Sequence, residues 1–259
     1  MSILELNPPA GARVRVISDW HLGHERCEVP DEGAMLRVLE DVDILISAGD
    51  LAETRPNEWQ ARGLAARERF RTLCREHRVQ LIELAGNHDP DAEALLLKLW
   101  NGRVVVMHGH ALYKEVAPWS WEYLNNKEKC RACIRTFANC DTNLTSRLEL
   151  SRAMSQLTPP IMRRAIRNPY LRGLLHCFWP PQRPIGIVLC WLFCGIRAEH
   201  FARRYFPEAE TLILGHFHRG LAKRYGKRRI YNTGAWFKHA TPYAVDLIDG
   251  AVTRYARLS

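Results

Sequence analysis

Five short runs of Asp, Asn, His and Gly recur along this chain: Asp19-Trp20-His21, Gly49-Asp50, Gly86-Asn87-His88-Asp89, His108-Gly109-His110 and Gly215-His216-Phe217-His218. A single Asp-x-His carries little information. Five such boxes in order, most of them preceded by an apolar run, constrain both the fold and the chemistry.

The preceding runs place the boxes. Arg13 to Ser18 leads into Asp19, Val42 to Ser47 into Gly49-Asp50, Val79 to Leu84 into Gly86-Asn87, Val104 to Met107 into His108, and Thr211 to Leu214 into Gly215-His216. Each is short and branched-aliphatic, the signature of a buried strand rather than a helix. Between them lie helix-like stretches such as Gly33 to Glu40 and Trp59 to His77. This alternation predicts an α/β sheet with its loops gathered at the carboxyl ends of the strands, so that all five boxes converge on one edge.

Carboxylate, amide oxygen and neutral imidazole suit Mn²⁺, Fe²⁺ or Zn²⁺, and the boxes contain no thiolate of the kind a structural zinc site uses. Two divalent ions about 3.5–4 Å apart need one bridging carboxylate. Asp50 is the candidate bridge. Alone, any one of these histidines reads as a loop or core residue; as a set they read as ligands. His24, His77, His176, His200 and His239 match no box and keep the structural reading.

In order and spacing the boxes resemble the calcineurin-like metallophosphoesterase superfamily, over residues 13–110 and 211–258. The resemblance implies an α/β/β/α sandwich of two mixed sheets flanked by helices, with an inserted helical cap. It also implies two divalent ions, Mn²⁺ first. One falls to Asp19, His21, Asp50 and His218, the other to Asp50, Asn87, His108 and His216. His88 becomes the general acid, or a donor to the phosphoryl oxygens, oriented by a carboxylate. The superfamily's usual Asp three residues after the bridge is here Glu53. His110, two residues past a ligand, and Trp236, in the turn Asn232-Thr233-Gly234-Ala235-Trp236 that resembles the superfamily's turn after the last box, are candidates for touching substrate.

At 259 residues the chain has room for one large domain, or for a domain with an insertion. The boxes assign 1–114 and 207–259 to a core and 115–206 to a helical insertion. That interval holds fourteen Lys and Arg against six acids, so eight of the chain's nine net positive charges fall there. Eight cysteines are scattered through the sequence. Mostly free thiols are expected, with Cys130, Cys133 and Cys140 the one cluster that could ligate zinc or form a redox pair. No amino-terminal stretch has the basic start and apolar core of a signal peptide, which predicts a cytoplasmic protein.

Proline pairs at Pro159-Pro160 and Pro180-Pro181, with Asn168-Pro169, divide the insertion into pieces. Leu171 to Trp179 is apolar with basic punctuation, and Ile185 to Ile196 runs twelve residues without a charge. Twelve residues fall short of the about twenty that span a bilayer. Three readings remain open: a core helix of the cap, an interfacial element on anionic lipid spanning 171–206, or, less favoured, a nucleic-acid surface. A cap at this place, and Gly234-Ala235-Trp236, are similar to the UDP-2,3-diacylglucosamine pyrophosphohydrolases of lipid A synthesis, although that family usually carries Arg where this chain has His88. The resemblance implies hydrolysis of a phosphodiester or pyrophosphate bond, with a lipid-linked nucleotide such as UDP-2,3-diacylglucosamine as substrate, on the inner membrane surface. The alternatives are a phosphodiesterase or phosphatase acting on a soluble nucleotide or nucleic acid, and a non-catalytic scaffold.

Overall fold

The structure, a computed structural model, describes residues 2–28, 32–157 and 181–258. Leu171 to Trp179, with His176, Cys177 and the prolines at 159, 160, 169 and 180, lies outside the described residues.

Two mixed sheets carry the fold. The first is ordered β1 (Ile3–Leu6), β5 (Leu96–Leu99), β6 (Val104–Met107), β7 (Thr211–Leu214), β9 (Arg228–Thr233), β8 (Gly220–Tyr225). The second is ordered β11 (Ala251–Arg257), β10 (Tyr243–Ile248), β2 (Val14–Ile17), β3 (Ile44–Ser47), β4 (Gln80–Glu83). Strands β2, β3 and β4 run parallel, as do β6, β7 and β9. β1, β5 and the last four strands were not anticipated from the sequence.

Side-chain alternation builds the layers. Val104 and Val106 join Val14, Val16, Ile44, Ile46 and Ile213 in a core between the two sheets. Val105, Met107, Leu212 and Leu214 point the other way, toward Cys194, Ala198, Phe201 and Ala202 of a long helix. On the far face of the second sheet, Ile17 and Leu45 pack against two more helices, α1 (Glu32–Leu39) and α2 (Gln60–Glu76), through Ala34, Val38, Phe70 and Leu73. Phe70 and Cys74 sit four apart on the buried stripe of α2, continuing from Gly63 and Arg67. The result is an α/β/β/α sandwich.

Between residues 115 and 206 the described elements are helices: α3 (Trp121–Asn125), α4 (Lys127–Thr136), α5 (Leu144–Gln156) and α6 (Gln182–Tyr205). Ser120 and Asn143 cap α3 and α5 by accepting from the Tyr123 and Ser146 backbone N–H. The apolar run Ile185 to Ile196 occupies only half of α6, which is twenty-four residues long. In length and composition α6 is therefore long and apolar enough to cross a membrane, which the twelve-residue run alone is not. A third of that apolar window is buried. Cys190, Cys194, Ala198 and Phe201 face inward, whereas Ile185, Val188, Leu189, Leu192, Phe193 and Ile196 are exposed, so the helix is not a core helix throughout. Cys130 and Cys140 pack with Val116, Leu150 and Met154, and no metal-ligating group among the described residues includes them.

Candidate metal centre

Strands β2, β3 and β4 deliver Asp19, Asp50 and Asn87 from one sheet, and β6 and β7 deliver His108 and His216 from the other. The boxes converge at the carboxyl ends of strands in two sheets rather than on one edge of a single sheet. Asp19, His21, Asp50, His216 and His218 all have left-handed backbones, with φ between 50° and 74°. Non-glycine residues adopt this region at a cost, and such strain gathers at functional sites. It is held by hydrogen bonds between loops: Asp19 N–H donates to the Gly49 carbonyl and His21 N–H to that of Asp50. Gly86 is needed for close approach, since a Cβ there would collide with the Asp50 carboxylate and backbone. At Gly49, with φ +87°, a Cβ would stand 2.7 Å from His108.

Ligand atoms from Asp19, His21 and His218 lie within 4.8 Å of one another, as do those from Asp19, Asp50 and His108 and those from His21, Asp50 and His88. His218 Nε2 is 3.3 Å from Asp19 Oδ1 and 3.3 Å from His21 Nε2, which is 3.7 Å from Asp50 Oδ2. His108 Nε2 is 3.2 Å from both Asp50 Oδ2 and Asn87 Oδ1. His216 belongs to none of the three groups. Its N–H donates to Asp19, its Nε2 lies 3.1 Å from the Val116 carbonyl, and its ring stands 5.1 Å from that of His108.

The second nitrogen of each ring decides what the first can do. His108 Nδ1 lies 3.0 Å from the Ala48 carbonyl, which can only accept, so Nδ1 carries a proton there and Nε2 is the nitrogen that faces Asp50 and Asn87. His21 Nδ1 lies 3.1 Å from Glu53 Oε1, which leaves its Nε2 facing His218 and Asp50. Ring nitrogens of His21, His108 and His218 and the oxygens of Asp50 and Asn87 thus converge at 3.2–3.7 Å. A cation suits that arrangement, and the carboxylate or carbonyl behind each imidazole is the usual support for a metal-ligating ring.

Electrostatics agree with this reading. Burial would raise Asp50 and Asp19, but the surrounding imidazoles outweigh it and hold both below the usual carboxylate range. Burial depresses His21, and depresses His216 to about 3, keeping them neutral as ligands must be. His108 differs and is driven up to about 9: burial opposes the rise, but Asp50 and Asp19 draw to it a proton, which a bound cation would displace. Burial and the charge of Asp50 push Asp89 up to about 7, although it accepts from the Asp50, Leu51 and Gly86 backbone N–H groups at 2.7–2.8 Å. Asp89 thereby ties the loop of the bridge to the loop of Asn87. This bond was not foreseen from the sequence.

Glu53 is wholly buried and stands 2.8 Å from His88 Nδ1. Despite burial, His88 and His21 hold it low, while Glu53 in turn raises His88 against the effect of burial. A single carboxylate therefore orients both rings. Trp236 does not reach the substrate space: it packs on Trp20 in the core between β2 and α2, with ring centroids 5.4 Å apart. His110 is buried behind His108 and His216, and neither ring nitrogen has a hydrogen-bond partner among the described residues. A cavity of about 470 Å³ opens over Asp50, Asn87, His88 and His218 and is lined instead by residues the boxes did not announce, among them His24, Arg55, Trp119, Trp191 and Phe237. His24 stacks on Trp59, with centroids 4.0 Å apart, and burial depresses it to about 4.

Residues 12–139 match the model of the calcineurin-like phosphoesterase family. The match ends before β7, so the last box reaches this site through the fold rather than through the matched segment. No curated protein matches the chain. Among solved structures, Vps29 of Entamoeba histolytica complexed with zinc is 13% identical over 95% of this chain and 99% of its own, with a TM-score of 0.42. A conserved Streptococcus pneumoniae protein described as a predicted phosphoesterase is 13% identical over 96% and 99%, at 0.35. A cold-active protein-tyrosine phosphatase of Shewanella is 11% identical over 100% and 82%, at 0.41. Likeness at this level bears on neither the substrate nor the partners of this chain.

Proposed function

We propose that this domain hydrolyses a phosphodiester or pyrophosphate bond with two divalent cations, one held by Asp19, His21, Asp50 and His218 and the other by Asp50, Asn87, His108 and His216. The observation that carries the reading is the convergence of ring nitrogens and oxygens from His21, His108, His218, Asp50 and Asn87 at 3.2–3.7 Å. Bound there, such ions supply Lewis acidity and a hydroxide nucleophile at neutral pH. Oxygen and imidazole donors favour Mn²⁺, with Fe²⁺ and Zn²⁺ as alternatives.

The chain's own residues supply the rest. His88 keeps its Nδ1 proton on Glu53, which leaves Nε2 to deliver a proton to the departing oxygen. Asn87 lines the cavity beside it. The strained, hydrogen-bonded loops fix these groups before substrate arrives, the preorganisation on which phosphoryl transfer depends.

For substrate we favour a lipid-linked nucleotide such as UDP-2,3-diacylglucosamine. The cavity supports it: besides His88 it is lined by Trp119, Trp121, Met154, Leu157, Ile187 and Trp191. Trp191 Nε1 donates to the Phe217 carbonyl, fastening α6 beside the last box. The exposed apolar face of α6 lies on the same helix as Arg183, Arg197, Arg203 and Arg204, a pattern suited to an anionic membrane surface met from the cytoplasmic side.

The test is metal analysis of the purified protein together with hydrolysis of bis-p-nitrophenyl phosphate under added Mn²⁺. Two ions per chain and metal-dependent turnover are expected. A protein that binds no metal and cleaves no phosphoester overturns the reading and leaves the scaffold alternative.

A further inference from the structure

We propose that Arg55 binds a second oxyanion of the substrate, a phosphate or carboxylate adjoining the phosphorus that is cleaved. The inference rests on the phosphoesterase reading and deepens it: the preferred substrates carry two neighbouring anionic groups, and Arg55 reads the one that is not attacked.

Arg55 is a cation placed where its own surroundings do not satisfy it. Its side chain is only 15% exposed, and its buried Nε finds no acceptor among the described residues. One terminal nitrogen lies 3.3 Å from His88 Nδ1. That imidazole nitrogen already stands 2.8 Å from Glu53, and a nitrogen that donates to a carboxylate cannot accept from a guanidinium. The one carboxylate within 4 Å of Arg55 among the described residues is Glu122 Oε1, at 3.9 Å, beyond hydrogen-bond length. Withdrawing a guanidinium from water without acceptors is costly, and a planar five-donor fork is the natural partner of an oxyanion.

The position indicates which anion. Arg55 lines the same cavity as Asp50, Asn87 and His88, and the His88 N–H donates to Asp50 Oδ1 at 2.7 Å. A group seated on Arg55 thus lies beside His88, whose ring groups with His21 and Asp50 in the same cavity. Arg183 lines the cavity too, its guanidinium 5.9 Å from the Trp121 ring centroid, a second cation beside the same space. Glu122, its side chain 43% exposed, stands beside Arg55 as a carboxylate that an incoming anion displaces.

The test uses Mn²⁺-loaded protein and its tryptophan fluorescence, titrated with methylenediphosphonate, phosphonoacetate and methylphosphonate. Wild type should bind the two probes that carry a second anionic group about tenfold more tightly than methylphosphonate, the scale of one charge-assisted hydrogen-bonded contact. Stronger binding of the diphosphonate assigns the second group as phosphate; stronger binding of phosphonoacetate assigns it as carboxylate. Arg55→Ala should abolish the preference, Arg55→Lys keep part of it, and Glu122→Gln strengthen it. In turnover, Arg55→Ala should raise KM more for a dinucleotide pyrophosphate than for bis-p-nitrophenyl phosphate. An unchanged preference in Arg55→Ala, or equal weakening for all three probes, overturns the inference. Hydrolysis without any dependence of the preference on Arg55 refutes this inference alone; the preference without hydrolysis refutes the phosphoesterase reading alone.

Discussion

Oε1 of Glu53 stands 2.8 Å from Nδ1 of His88, and the same oxygen stands 3.1 Å from Nδ1 of His21. One buried carboxylate therefore sets the tautomer of the proposed acid and of a proposed ligand together. His88→Ala should keep the metal and lose about 10²–10⁴-fold in kcat, as loss of a general acid does. Glu53→Gln should lower both kcat and metal affinity, the latter about 10–100-fold. Kinetics and metal analysis on the same preparations separate the two; equal metal affinity in Glu53→Gln and wild type refutes the dual role.

Gly86 leaves no room for a Cβ beside Asp50. Gly86→Ala should displace the bridge, so metal content falls from two ions per chain while far-ultraviolet circular dichroism stays that of the wild type. Asp50→Ala should lose both ions outright. Two ions retained in Asp50→Ala would refute the bridge.

Arg67 joins Glu83 and Asp91 at 2.6 Å each, clamping α2 to β4 and to the loop behind the third box. Burial would raise Asp91, but Thr54 and Arg67 hold it below the ordinary carboxylate value. A carboxyl depressed in the folded state stabilises above its unfolded pKa and loses that contribution as pH falls through the folded value. Asp91 is half exposed, so its pair contributes about 0.2–1 kcal/mol. Urea titrations should show wild type more stable than Asp91→Asn at pH 6, and the difference should shrink toward pH 2.

Leu192 is 61% exposed on α6. Leu192→Glu should leave thermal stability near that of wild type, yet weaken sedimentation with anionic liposomes by about tenfold or more, from lost apolar burial and added like charge. High salt should weaken wild-type binding too. No association of wild type at low salt would refute the membrane proposal.

The sequence announced the five strand-to-loop transitions because each strand ends in residues that have no place in a strand: Asp19 after Ile17, Asp50 after Ser47, His216 after Leu214. β5 was hidden because Leu96–Leu99 lies in a leucine-rich stretch that reads equally well as helix. Arg55 and Asp89 were missed as working residues for another reason. Their roles depend on what lies across the fold, and neither spacing nor periodicity records that. Trp236 was misplaced because an aromatic beside a site reads the same in sequence whether it turns toward the cavity or, as here, toward Trp20.

Asp19, Asp50 and Asn87 ride on one sheet, His108 and His216 on the other, and the layer containing Val16, Val106 and Ile213 sits between them. The thickness of that layer is thus a ruler for the span of the centre. A methyl group removed from it, far from the ligands themselves, should let the two halves of the site drift together.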